Sequence, residues 1–142
     1  MASTILIVDD EKNIRSSLAR SLSLEGYETV DAGTAREGMD AVVREAVDLV
    51  MLDVRLPDGD GLEVLDWIKA RRPSLPVIVM SGHGSIDMAM EAIRKGAEDF
   101  IEKPLSTEKI LITLGNTLRM ADHKGELETL RARLPESSEL IG

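Results

Sequence analysis

The sequence predicts an α/β fold: a doubly wound, five-stranded parallel sheet in the order 2-1-3-4-5, with helices on both faces. Three observations predict it. Strand-like and helix-like segments alternate five times along the chain, and repeated βα units with helical crossovers build a parallel sheet. The first, third and fourth strand segments are apolar at nearly every position, as strands covered on both faces must be. The second and fifth are shorter and more polar, which places them at the edges. The resulting order puts a topological switch point between strands one and three, where ligands bind beyond the carboxyl ends of the strands.

The first strand covers Ile5 to Val8, and a helix follows with Ile14, Leu18 and Leu22 on one face until Gly26 stops it. Tyr27 to Ala32 is the second strand. Thr34-Ala35-Arg36-Glu37 has the spacing of a capping box, in which each end satisfies an orphan backbone donor, and opens a helix carrying Ala41, Val42 and Ala46. Leu49 to Leu52 is the third strand. The next helix is lined by Leu62, Leu65 and Ile68 and ends before Pro73. Val77 to Met80 is the fourth strand, followed by a helix capped by Ser85, bearing Ala89, Ala92 and Ile93 and closed by Gly96. Asp99 to Glu102 forms a short fifth strand. Ser106 starts the last helix, with Ile110, Leu111, Leu114 and Leu118 facing inward. From Met120 on the chain turns polar. Met120, Leu127 and Leu134 recur every seven residues with Leu130 between them, too few heptads for a secure coiled coil, and Gly125 weakens the run further. Pro135-Glu136-Ser137-Ser138 reads as a linker.

Composition narrows the function. The chain has 142 residues, 43% of them hydrophobic, with a formal net charge of −9 and no cysteine. One domain of ordinary size fits that length. The acidic balance opposes direct binding to a phosphate backbone. Lack of cysteine removes disulfides, thiolate metal sites and cysteine nucleophiles. No stretch approaches the roughly 18 apolar residues that span a membrane, and Met1-Ala2-Ser3-Thr4 runs straight into a strand without a signal peptide. The expectation is a cytoplasmic protein with neither nucleic acid nor membrane as a direct partner.

The chemistry gathers at the strand ends. Asp9-Asp10 closes the first strand and Asp53 the third, so the predicted order brings three carboxylates into one crevice. Like charges so placed repel and need a cation. A hard divalent ion with oxygen ligands answers that need, and magnesium keeps coordination positions open for a phosphate. Ser81 ends the fourth strand and Lys103 the fifth, adding a hydroxyl donor and a positive point charge for phosphate oxygens. Each residue alone has a plainer reading: Asp9-Asp10 as the cap of the first helix, Ser81-Gly82 as a turn, Lys103 as a solvated side chain. Their convergence favours phosphoryl chemistry on an aspartate.

These segments, Val8-Asp9-Asp10-Glu11, Leu52-Asp53-Val54-Arg55-Leu56-Pro57-Asp58-Gly59-Asp60-Gly61, Met80-Ser81-Gly82-His83-Gly84 and Phe100-Ile101-Glu102-Lys103-Pro104, together resemble the receiver domain of two-component response regulators. The resemblance covers about Thr4 to Ala121 and implies the flavodoxin-like topology already described. It implies a receiver domain over residues 1–121 and a helical linker over 122–142. It assigns Asp53 as the phosphoacceptor for a sensor histidine kinase. Asp10 is then a direct Mg2+ ligand, Asp9 acts mainly through water, and the Arg55 backbone carbonyl completes the protein ligands. Ser81 becomes the switch hydroxyl and Phe100 the switch aromatic. The domain assists its own phosphotransfer and dephosphorylation and is otherwise no enzyme. The family resemblance, with the bend at Pro104, also gives a cis Lys103-Pro104 bond. Conditional homodimerisation through the fourth helix, fifth strand and fifth helix is expected, since Ser81 and Phe100 lie on strands leading there. His83 is read as tuning water access and His123 as exposed. One of Met88 and Met90 should face the core and the other a partner. Trp67 should pack against its helix's neighbours.

Two other classes share parts of this pattern. A magnesium-dependent phosphatase working through an aspartyl phosphate would carry Asp-x-Asp after the first strand and a cap insertion; here the acids are adjacent. A flavin module would need a Ser/Thr/Gly-rich loop where Asp9-Asp10-Glu11 repels phosphate. For the output, Ser81-Gly82-His83-Gly84, Asp99 to Pro104 and Glu139-Leu140-Ile141-Gly142 resemble the nitrogen-regulator class of sigma-54-dependent activators, in which a helical linker leads to an ATPase domain. That resemblance implies a fragment of a longer chain; a stand-alone receiver is the alternative.

Overall fold

Strand β1 (Thr4–Val8) is apolar but for its first residue, and it lies between β2 (Glu28–Ala32) and β3 (Leu49–Asp53). Beyond β3 come β4 (Val77–Ser81) and β5 (Asp99–Glu102), all parallel, giving the predicted order 2-1-3-4-5. The computed structural model describes residues 2–82, 84–104 and 106–133, with side chains through Met120. His83, the side chains of His123, Leu127 and Leu130, and everything from Leu134 onward, including the linker and Leu-Ile-Gly readings, lie outside the described residues.

Side-chain alternation divides the sheet's residues between two cores. Ile5, Ile7, Leu49, Met51, Ile78, Met80 and Ile101 face α1 (Lys12–Leu24) and α5 (Thr107–Arg133), meeting Leu18, Leu22, Ile110 and Leu114. Leu6, Val8, Val50, Leu52, Val77 and Val79 face the other way, toward α2 (Ala35–Arg44), α3 (Gly61–Arg71) and α4 (Ile86–Arg94). Every residue of β3 and β4 is buried, whereas the edge strands β2 and β5 are mixed. That difference is what their apolar patterns predict.

Local signals set the helix ends. Gly26 and Gly96 take positive φ after α1 and α4, the left-handed closure that a side chain resists. Thr34 accepts from the Glu37 N–H at 3.0 Å and Ser85 from the Met88 N–H at 3.1 Å. Only this half of the expected capping box is made through the backbone; the Glu37 carboxylate instead faces the Thr34 hydroxyl at 3.4 Å. Two further readings are corrected. Helix α2 ends at Arg44 because Glu45 turns to extended backbone, so Ala46 is exposed beyond it. Ile93 is 49% exposed and joins Ile86 and Met90 in an outward stripe, while Met88 packs into the core. Helix α5 runs on unbroken to Arg133, through Gly115 and Gly125. A two-rung antiparallel ladder, Arg55–Leu56 against Gly59–Asp60, closes around the turn-forming Pro57-Asp58 pair and was not among the expected elements. The Lys103-Pro104 peptide is cis, as expected. Trp67 packs partly buried against the core, and the Arg71 guanidinium lies 4.7 Å from its ring centroid. No described helix is long and apolar enough to cross a membrane.

Leu65 is fully buried beneath α3 and Ile112 is 66% exposed on α5. Leu65→Ala should lower unfolding free energy by about 2–5 kcal/mol. Ile112→Ala should stay within about 0.5 kcal/mol. Urea denaturation of the two variants measures both.

Candidate functional site

Asp9 lies one residue beyond β1, where its N–H continues the parallel ladder to the Ala32 carbonyl at 3.0 Å. Its side chain is fully buried, and Oδ1 accepts from the Glu11 N–H at 2.8 Å. Asp10 next to it is exposed. Asp53 ends β3 and is 5% exposed; its Oδ1 accepts from the Arg55 N–H at 3.3 Å and its Oδ2 from Lys103 Nζ at 3.1 Å. The ammonium also lies 2.8 Å from Asp9 Oδ2 and 3.8 Å from Glu11 Oε1. Behind Asp53, Gly61 approaches so closely that a Cβ there would overlap the Asp53 carbonyl oxygen and stand 2.8 Å from the Val54 Cα. Glycine is the residue that permits this approach.

Burial sets the electrostatics. The Asp53 carboxyl is held above its ordinary range, chiefly because burial penalises its charge and despite the Lys103 hydrogen bond and charge that favour it; Asp9 adds repulsion. Burial pulls the Lys103 ammonium the opposite way, but its contacts with Asp9 and Asp53 outweigh that and raise it. One ammonium thus faces two buried carboxylates. Asp9 Oδ2, though in ion-pair contact with Lys103, has no hydrogen-bond donor aligned on it. One oxygen each from Asp9, Asp10 and Asp53 lies within 4.8 Å of the others, and the single Lys103 ammonium leaves those negative charges only partly compensated. Three oxygen ligands, one of them exposed, fit a hard divalent ion that keeps part of its water shell.

The remaining sequence-predicted residues fall around this centre. In the β3–β4 register Asp53 opposes Met80, so Ser81 comes one position beyond, buried at the end of β4. Ser81 opposes Glu102, and the Lys103 N–H bonds the Ser81 carbonyl at 2.9 Å, which brings the lysine to the same edge. Phe100 lies further down β5, half-buried against the core beneath α2, α3 and α4. A Cβ on Gly84 would stand 2.7 Å from its ring, so the loop after β4 touches that aromatic directly. Arg55 is exposed on the two-rung ladder. The plain reading of Asp9-Asp10 as a helix cap does not hold: Glu11 occupies the N-cap of α1, with no side-chain cap bond.

Three contributors escaped the sequence reading. Arg15 donates from Nη1 to the Asp9 carbonyl at 2.6 Å and pairs through Nε with Asp31 at 3.0 Å, tying the acidic end of β1 to β2. Its place on the first turns of α1 was the available signal. Asp58 accepts from the Ala35 and Arg36 N–H groups of α2. Glu11 adds an exposed third carboxylate near Lys103.

The folded protein holds the Asp53 proton more tightly than the unfolded chain does. Its contribution to stability is therefore present below the ordinary carboxyl value of 3.8 and is lost as pH rises through the raised value. In EDTA, Asp53→Asn should gain stability relative to the parent as pH climbs through that window, by thermal or urea unfolding. A difference independent of pH would show that burial does not penalise the Asp53 charge.

Residues 5–114 match the response regulator receiver domain family. A protein of Rickettsia typhi described as a putative response regulator NtrX-like is 38% identical over 140 residues, covering 97% of this chain and 30% of that protein. The chain thus spans about a third of the length of such curated relatives. The crystal structure of NtrX from Brucella abortus superposes with a TM-score of 0.88 at 44% identity, over 94% of this chain and 31% of that one. The solution structure of the beryllofluoride-activated NtrC4 receiver domain dimer gives 0.80 at 43% identity, over 83% and 98% of the two chains. By its residues, its strand order and the family match, the chain belongs to the receiver domains of two-component response regulators.

Proposed function

We propose that this receiver takes a phosphoryl group onto Asp53 from the phosphohistidine of a sensor histidine kinase and uses it to switch a surface for an output. The observation that carries this is the Asp53 carboxylate at the sheet edge with Lys103 at 3.1 Å and ligand oxygens of Asp9 and Asp10 within 4.8 Å. In this reading Asp53 Oδ attacks phosphorus in line as the imidazole leaves. Asp10, Asp53 and the Arg55 carbonyl would hold Mg2+, with Asp9 acting mainly through water. Mg2+, when bound, neutralises charge on the transferring group. Lys103 meets a phosphoryl oxygen as a point charge, and positioning with electrostatics supplies most of the acceleration. The domain does nothing chemical beyond its own phosphorylation and dephosphorylation.

The acyl phosphate brings new acceptor oxygens. Ser81 binds one of them and draws in the loop after β4, and Phe100 rotates toward the space this leaves. Gly84 contact with the Phe100 ring is the support for coupling the two. The displaced surface is α4–β5–α5, where Ile86, Met90 and Ile93 are 79%, 55% and 49% exposed. Apolar residues grouped on one helix face are a ready interface, and the NtrC4 receiver similar to this chain is an activated dimer. We assign residues 1–121 to the receiver and 122–142 to a helical linker. The output is a sigma-54-dependent ATPase activator of transcription, acting in the cytoplasm. The NtrX-like relatives, about three times longer than this chain, support an output domain beyond it.

Incubation with Mg2+ and acetyl phosphate should add one phosphoryl group at Asp53, read by mass spectrometry. Asp53→Asn should take none, and Asp10→Ala should weaken Mg2+ binding more than Asp9→Ala. A full adduct on Asp53→Asn rejects the assignment. Light scattering should show a greater molar mass with beryllofluoride than without. An increase that survives ending the chain at Ala121 places the contact on the globular domain; one lost on truncation places it on the linker.

A further inference from the structure

The loop that follows Asp53 is pinned from outside the acidic crevice. Between Asp53 and α3 the chain makes the two-rung ladder, Arg55 opposite Asp60 and Leu56 opposite Gly59. Asp58 sits in its turn. Its Oδ1 accepts from the Ala35 N–H at 2.7 Å and its Oδ2 from the Arg36 N–H at 3.1 Å. These are the first two donors of α2, and the third, from Glu37, goes to Thr34. A helix start normally leaves such donors to water or to a local cap. Here a residue more than twenty positions away supplies both acceptors, and its carboxyl is held below the ordinary range by those two hydrogen bonds. Gly59 lies against Ala35, where a Cβ would stand 3.9 Å from the alanine Cβ, and Leu56 packs on the core. At its base the loop is closed by the Gly61 N–H on the Val54 carbonyl at 2.6 Å. Arg55 therefore sits between two fixed points.

We propose that Asp58 is a positioning residue for the cation site: by clasping the start of α2 it holds the ladder, and with it the Arg55 backbone, in the arrangement that completes the acidic crevice. The inference rests on the reading of that crevice as a Mg2+ site. It adds that α2, on the side of the domain away from α5, is energetically coupled to the cation. Coupling of this kind is reciprocal. Loss of the clasp weakens Mg2+ binding, and Mg2+ binding tightens the clasp. A plain helix cap would lower stability and leave cation affinity alone.

Calorimetric titration of Mg2+ into the parent chain, Asp58→Ala and Asp58→Asn separates these cases, alongside urea unfolding of all three in EDTA. Asp58→Ala should weaken Mg2+ binding about tenfold, the scale of losing an outer partner of a metal ligand. Asp58→Asn keeps one acceptor oxygen and should fall between. In the parent, Mg2+ should slow amide exchange of Ala35 and Arg36 by more than it slows core amides of β3. Lower stability with unchanged Mg2+ affinity overturns the proposal and leaves the metal reading intact. If Asp58→Ala does not fold, unchanged affinity in Asp58→Asn overturns it equally. A parent chain that binds no Mg2+ removes the metal reading itself, and the inference with it.

Discussion

One lysine between two buried carboxylates is the contact on which the rest of this domain is arranged. Asp9 and Asp53 are withdrawn from water at neighbouring strand ends, and like charges in a poorly hydrated site raise each other's cost. Lys103 reaches both from the end of β5. That reach exists because β5 is added beyond β4 with its last residue opposite Ser81. A different strand order would leave the carboxylates without their counter-ion. The compensation is partial, since one positive charge faces two negative ones and a third, Asp10, stands open to solvent. A site balanced in this way is receptive to further positive charge.

The platform under the site is stiff and its surroundings are less so. The inner strands are apolar throughout, and their alternating side chains lock into two separate cores. Such interiors tolerate little change in volume. Helix α4 is different: Ala92 is its one buried residue among those described, and larger apolar side chains face outward. It is anchored lightly, beside the loop that contacts Phe100. A rigid base with one weakly held helix is a division suited to a two-state surface, because a small electrostatic change need move only the part with the fewest buried contacts.

Much of this was legible in the residues. Unbroken apolar runs in β1, β3 and β4 identified the buried strands, the polar character of β2 and β5 identified the edges, and strand order then followed. Asp9, Asp10, Asp53 and Lys103 were legible because strand ends and topology place them without knowledge of any side-chain rotamer. What escaped depends on long-range geometry. The Asp58 clasp joins residues far apart in sequence, and nothing in Leu56-Pro57-Asp58-Gly59 says that a distant helix start lies within reach. Arg15 had the look of a surface residue on α1, since its partners Asp9 and Asp31 converge only after β1 and β2 pair. Ile93 was misread for a related reason: the 3.6-residue period gives an apolar stripe, but cannot say which part of the stripe the sheet leaves uncovered.

Helix α5 starts four residues after Lys103 and continues for 27 residues without interruption. At about 1.5 Å per residue that is a rod about 40 Å long, more than twice the length of a five-residue strand at about 17 Å. Its inward side chains, Ile110, Leu114 and Leu118, belong to the first half. Length multiplies rotation: a tilt of about 10° over the last 20 Å or so of such a rod would sweep its tip through about 3–4 Å. A small reorientation of the packed first half would therefore reach the remote end enlarged, as a displacement comparable to the width of a side chain.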